Sequence, residues 1–357
     1  MTVDPMADAV LRYALRVDGL SQDLAQRIMR DVERALDQVA GNIGRRDRAD
    51  APFTYDRLQD VRKELQALRA ALADRLAETV TEAQTAVIET APAATTAAAA
   101  RIGIAWNAVP VETLANLTAE PYQGKTWADW GRAMADRTQQ RVLDELRDAA
   151  ALGEGTEKAA RRLERVTDLS RTSARKLART ALHDAATRAH METFKRNSSV
   201  IRGYRFLATL DGRVSLTCSS LSGREFSADD PELANVRPPL HPNCRSLLTP
   251  ITRSMAELTG GKVTAEPKAG EQPAVMSTRS VKDIPKADRP RRIQRVPAGT
   301  TYEDWLRTTD TDFQKEVLGP TRYRAWKNGV PLSGMASYRG PLTIQELRSK
   351  YPLEMST

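Results

Sequence analysis

From residue 54 to residue 91 the chain contains neither glycine nor proline, and its apolar residues recur at helical spacing. Leu58, Val61, Leu65, Leu68 and Leu72 step by three and four, and the pattern continues in fours through Leu76 and Val80. Residues three and four apart share one helix face, so this run predicts a single long helix with an apolar seam. The seam suits the inner face of a bundle better than a coiled coil with another subunit, because only about three heptads are clean. Residues 6–40 carry a second helical pattern, with Val10, Leu11, Leu15, Leu20, Leu24, Ile28, Val32 and Leu36, and a break is expected near Gly19. Pro92 and the tract 93–100 are expected to interrupt the long helix, and the segment with Trp106, Pro110 and Pro121 reads as short helices and turns. Trp127 and Trp130 begin a further helix that should run to about Ala150 and end at Gly153 and Gly155.

In 357 residues, 41% apolar content permits a packed core, but aromatic residues are only 5%. Long helices around a small core follow. Lys and Arg number 54 against 46 Asp and Glu, a net of +8 that favours a polyanionic partner without demanding one. The two cysteines, Cys218 and Cys244, exclude a disulfide framework of the secreted kind and suit a reducing cytoplasm. The first residues, MTVDPMADAVLRYALRVDG, lack the basic and apolar regions of a signal peptide, and no apolar run is long enough to span a membrane.

The excess positive charge is concentrated. Residues 156–196 read as helical, with breaks expected around 167–173, where Ser170 or Thr172 could cap a second helix. Within that stretch eleven basic residues face five acidic ones. Arg161, Arg162, Arg171, Arg175 and Lys176 are the candidate contacts to nucleic acid or to an acidic protein surface, weighed against the ordinary reading of a solvated helix face. After Asn197 the character changes: residues 201–210 and 247–251 are strand candidates. Residues 260–299 look like a linker, with Pro267, Pro273, Pro285, Pro290 and Pro297, and with seven basic residues against two acidic ones between 279 and 296. Aromatic content returns in 302–351, which predicts a small helical module. The fold class is mainly α with an α+β part, divided as a helical region 1–155, a core 156–259 with a small β-containing Cys/His knuckle, a basic linker 260–299 and a C-terminal helical module 300–357.

One stretch carries chemistry. Asp211, Cys218, Gly223, His241 and Cys244 lie close together among Pro238, Pro239 and Pro242. His241 and Cys244 flank a tight turn at Pro242, so Cys218, His241 and Cys244 are candidate ligands of a structural zinc, with Asp211 or Ser215 a poor fourth. The alternative is two small buried cysteines and a histidine bonded to backbone. Asp211 and Arg213 suit a buried ion pair at a strand end better than a catalytic role. His183 and His190, seven apart on one helix, read as ordinary surface or interface residues. A metal-dependent nuclease would need a general base and further ligands that this chain does not offer in sequence, so no catalytic residue is assigned.

The segments LARTALHDAATRAHMETFKRN, YRFLATLDGRVSLTCSSLSGREF and PPLHPNCRS together resemble the phage Mu protein F-like head-morphogenesis family. Residue by residue, Arg179 and Thr180 fall on the family's helix, and Thr209, Asp211 and Arg213 on its Thr-x-Asp-x-Arg element. Cys218 takes the second cysteine position, Gly223 the glycine, and His241, Pro242, Cys244 and Arg245 the ending. Ser215 and Ser246 stand where two further cysteines are expected. The resemblance implies a structural minor capsid protein of a tailed phage or prophage, assisting head assembly and DNA packaging near the portal. It also implies a place in the virion after assembly in the host cytoplasm, with the portal protein, the major capsid protein and packaged double-stranded DNA as partners and no membrane. The alternatives are a metal-dependent nuclease, from another class, and a generic DNA-binding scaffold. The segment YEDWLRTTDTDFQKEVLGPTRYRAWKNG with LTIQELRSKY resembles a tail module of some minor head proteins.

Overall fold

The computed structural model describes residues 5–46, 51–261 and 270–355. Helices make up 65% of the described residues beside a few small sheets, a mainly α architecture with an α+β part. The first half is built from α1 (Pro5–Arg46), α2 (Tyr55–Arg101), α3 (Val111–Asn116), α4 (Trp127–Ala151) and α5 (Thr156–Arg196). Three expected breaks are absent. Gly19 lies inside α1, exposed and with nothing within 4 Å of where a Cβ would stand. One exposed glycine penalises a helix by only about 1 kcal/mol, less than the burial of Val17, Leu24 and Ile28 on either side contributes. Gly19→Ala is therefore expected to raise stability by about 0.5–1 kcal/mol, read as a higher thermal midpoint.

Pro92 sits within α2, where alanines sustain the helix beyond it and Ala91, Ala98 and Ala99 are buried. The hydroxyls of Thr95 and Thr96 both donate to the Pro92 carbonyl, at 2.9 and 3.0 Å. Around 167–173 no cap forms, because Thr167 and Ser173 donate to the carbonyls of Leu163 and Leu169 one turn back, leaving α5 unbroken.

The chain divides into two compact units. Residues 16–90 and 110–186 form one, and residues 1–15, 91–109 and 187–357 the other. In the first unit the seam of α2 is buried within the chain: Leu58, Val61, Leu65, Leu72, Leu76 and Val80 are all core, while Leu68 is half-buried. α4 meets α2 closely at Gly131, where a Cβ would stand 3.0 Å from the Leu76 carbonyl oxygen. A buried Asp184 carboxylate accepts from the Trp127 indole at 2.8 Å.

The second unit continues with β1 (Ile201–Leu207), β2 (Leu210–Asp211), α6 (Leu216–Leu221), β3 (Glu225–Ser227), α7 (Leu233–Val236), β4 (Leu247–Thr252) and α8 (Met255–Thr259). β1 is the centre of an antiparallel sheet, with β3 on one side and β4 on the other. The stretch read as a linker is structured wherever it is described, residues 262–269 with Pro267 lying outside the described residues. β5 (Glu271–Val275) and β6 (Ile293–Pro297) pair antiparallel, α9 (Arg289–Arg292) leads into β6, and β5 also runs parallel to β2. Pro273 is tolerated in the central strand for a geometric reason. Met276 donates to Arg292 and Ala298 to Gly270, which sets the even-numbered amides of β5 toward β6 and Pro273 toward the other side, where β2 reaches only Ala274 and Val275.

The described chain closes with α10 (Tyr302–Thr308), α11 (Thr311–Lys327, kinked at Gly319), a small hairpin of β7 (Ala336–Ser337) and β8 (Gly340–Pro341), and α12 (Ile344–Lys350). This module is not an appendage. Tyr302, Trp305, Leu306, Phe313 and Trp326 share one apolar core with Phe206, Cys218, Leu221, Phe226 and Cys244. Burying large aromatic rings is the strongest apolar contribution available to a chain so poor in them.

Candidate functional site

Two staples hold the strand end after β1 to the segment before β4. The Thr209 hydroxyl donates to the Arg245 carbonyl at 3.0 Å, and the Arg245 guanidinium forks onto the Asp211 carboxylate, with Nη2 at 2.8 Å from Oδ1 and Nη1 on Oδ2. Arg213 adds its backbone amide at 3.0 Å and its guanidinium at 2.9 and 3.2 Å to the same carboxylate. The Asp211 side chain is only 2% exposed. Burial would raise its pKa, but hydrogen bonds and charge from Arg245 and Arg213 prevail and hold it below the ordinary carboxylate range. Asp211 is therefore fully engaged by arginines and takes no part in the Cys/His cluster.

That cluster is assembled by a helix start and a turn. Ser215 caps α6, its hydroxyl accepting from the Cys218 amide at 3.1 Å, which fixes Cys218 in the first turn. At the other side His241, Pro242, Asn243 and Cys244 form a turn closed by the Cys244 amide on the His241 carbonyl at 3.1 Å. Proline second and a positive-φ asparagine (63°) third is the residue pattern of a type II turn, so the local sequence dictates this geometry. Cys218 Sγ lies 3.3 Å from His241 Nε2 and 3.8 Å from Cys244 Sγ, and Ser215 Oγ lies 2.9 Å from the same Nε2. His241 Nδ1 is 2.9 Å from the Pro242 carbonyl, which can only accept, so Nδ1 carries a proton, and Nε2 faces Cys218 Sγ and Ser215 Oγ. Both cysteines are buried thiols outside any disulfide. Hydrogen bonding from Cys244 above all, with Ser215, Ser246 and the charge of Arg245, outweighs burial and lowers the Cys218 thiol to about 7.

Gly223 follows α6 with φ 86°, and a Cβ there would stand 2.5 Å from Thr301 Cγ2. Only glycine satisfies both the left-handed backbone and the close approach of the C-terminal module. That module also grips the site through Tyr302, whose hydroxyl donates to the Asp211 carbonyl at 3.0 Å and whose amide donates to Ser222 Oγ at 2.9 Å. Nothing in the sequence pairs Tyr302 with Asp211; its only signal is the aromatic content regained after residue 300.

The remaining sequence-read positions lie on α5. Arg179 pairs with Asp18 at 3.0 Å, and the Thr180 hydroxyl donates to the Lys176 carbonyl at 2.7 Å. Arg162, a candidate polyanion contact, is instead consumed inside the fold: it meets Glu154 at 2.7 and 3.0 Å and Glu145 at 3.1 Å, with 15% of its side chain exposed. Those carboxylates raise its pKa above the ordinary guanidinium value. Arg161 pairs with Glu157 at 3.3 Å and Arg171 with Glu33 at 3.4 Å, while Arg175 and Lys176 are exposed. His183 and His190, read as surface or interface residues, are buried, and His190 packs on Phe194 and Tyr13 at ring-centre distances of 5.9 and 5.4 Å. A hydropathy pattern cannot distinguish a buried histidine from an exposed one.

Residues 140–249 match the family model described as Phage Mu protein F like protein. That segment, and not the whole chain, is what resembles the family. The Phage Mu protein F like segment ends within β4 and includes both staples and the whole Cys/His cluster, whereas the hairpin and the C-terminal module lie beyond it. It points to phage head morphogenesis and association with the virion. No curated protein and no solved structure matches the chain. Among the described residues no helix is long and apolar enough to cross a membrane.

Proposed function

We propose that the chain is a structural minor capsid protein of a tailed phage or prophage that assists head assembly and DNA packaging near the portal, and that it meets packaged DNA through the β5–β6 hairpin. The family match over 140–249 carries the first part of this reading. The second part rests on where unpaired cationic surface lies. On α5 three of the five candidate residues already have carboxylate partners, as described above. On the hairpin, Arg279, Lys282, Lys286, Arg291, Arg292 and Arg295 are exposed, and only Asp283 and Asp288 oppose them between 279 and 296. Arg289 donates to the Ile284 carbonyl at 3.1 Å and Arg292 to the Met276 carbonyl at 3.1 Å, so two of the cations also brace the loop that presents the rest. Arg295 approaches Glu271 at 3.7 Å, a loose contact between side chains 75% and 58% exposed.

Such a surface attracts phosphate without reading bases, so binding should be independent of sequence and strongly dependent on salt, because each neutralised phosphate releases counterions. The check is binding of the full chain to short duplexes of unrelated sequence across a salt series. Replacing Lys282, Lys286, Arg291 and Arg295 together by glutamine, while sparing the bracing Arg289 and Arg292, is expected to flatten the log–log salt slope by about 3–4. Arg175→Gln with Lys176→Gln should leave it unchanged. Equal binding by the hairpin variant, or loss confined to the α5 variant, would move the contact away from the hairpin. Cryo-electron microscopy of the particle at its portal vertex tests the capsid role separately.

A further inference from the structure

Cys218, His241 and Cys244 come from two separate segments, yet their ligand atoms all lie within 4.8 Å of one another. Two of the three separations, those made by Cys218, are close to those of a coordination shell, and the third lies within 4.8 Å. With Zn–S near 2.3 Å and Zn–N near 2.0–2.1 Å, tetrahedral angles set two sulfurs about 3.8 Å apart and a sulfur and nitrogen about 3.6 Å apart. The observed separations are 3.8 Å for Cys218–Cys244 and 3.3 Å for Cys218–His241. The tautomer also suits a metal, since a ligating imidazole commonly donates its other N–H to a carbonyl, as His241 does to Pro242. Two thiolates and a neutral imidazole around Zn²⁺ give no net charge, which is what a buried site requires.

The fourth position is the informative one. Ser215 Oγ is 2.9 Å from His241 Nε2, on the side where the lone pair points, and is already committed to accepting from the Cys218 amide. We propose that Cys218, His241 and Cys244 bind a zinc ion as two thiolates and an imidazole, and that Ser215 faces the fourth position as a weak oxygen donor. On binding, two Zn–S bonds form and the two thiol protons pass to solvent. A hydroxyl is a harder and poorer zinc donor than a thiolate, so the site holds its metal less tightly than a four-ligand Cys/His site would.

The test uses the full chain, purified under reductant, with Zn²⁺ content measured directly and Co²⁺ titrated as a spectroscopic probe. One metal per chain is expected, with a thiolate-to-cobalt band that disappears in Cys218→Ser and in Cys244→Ser. Ser215→Cys should keep the stoichiometry, strengthen the thiolate band, and raise the chelator concentration needed to strip half the metal by on the order of tenfold. A reduced, folded wild-type chain that takes up neither Zn²⁺ nor Co²⁺ overturns the site, and this outcome needs no variant to fold. A Ser215→Cys chain with wild-type spectrum and chelator resistance overturns the assignment of the fourth position.

Discussion

Asp211→Ala is expected to lower the unfolding free energy by about 3–5 kcal/mol, because it removes one partner of a buried ionic cluster and leaves Arg213 and Arg245 facing each other without their counter-charge. The urea midpoint should fall at unchanged slope. Much of the loss is conformational in origin: the Asp211 carboxylate is what pulls Arg245, and with it Cys244, against the end of β1. The pH dependence has a definite sign. The folded-state pKa of Asp211 is lowered, so its contribution is present above the unfolded value and is lost as pH falls through the folded one. Wild-type stability should therefore fall more steeply than that of Asp211→Asn below roughly pH 4, while the gap between them stays constant near neutrality. Parallel acid profiles for the two proteins would show that the carboxylate is not held by its arginines.

Trp305→Ala should cost about 3–5 kcal/mol, the range for emptying a buried aromatic site. Trp305 is 2% exposed and contacts Tyr302 and Phe313 edge-on at 5.3 and 5.8 Å. Its core is also that of Cys218 and Cys244, so the effect should reach the knuckle: both thiols are expected to react faster with a thiol reagent than in the wild type. An independent C-terminal module would lose its own stability and leave the thiols as protected as before. Rate of thiol labelling thus separates a shared core from an appended one.

The helices were largely legible because helical periodicity is a local property. The Leu58–Val80 seam, the helix starting at Trp127 and the strands near 201 and 247 all follow from spacing and residue type. Errors arose where a local signal for interruption was outweighed. Gly19 and Pro92 each remove only one favourable term from a helix whose flanks are buried, and the hydroxyls at 167 and 173 found carbonyls within the helix. The prolines and charges of 271–297 resembled a linker because a strand pair held by β2 and by backbone bonds leaves little trace in hydropathy.

For the site, the sequence by itself determined the turn at His241–Cys244 and the motif that matches the Phage Mu protein F like family. These depend on residues within a few positions of each other. Only the tertiary structure decided that Thr209 and Asp211 staple Arg245, that Tyr302 closes over Asp211, and that Arg162 is spent on Glu145 and Glu154. The reason is physical: the partner of a charge or a hydroxyl is whatever the packing of distant apolar segments brings within about 3 Å, and no spacing along the chain encodes that distance.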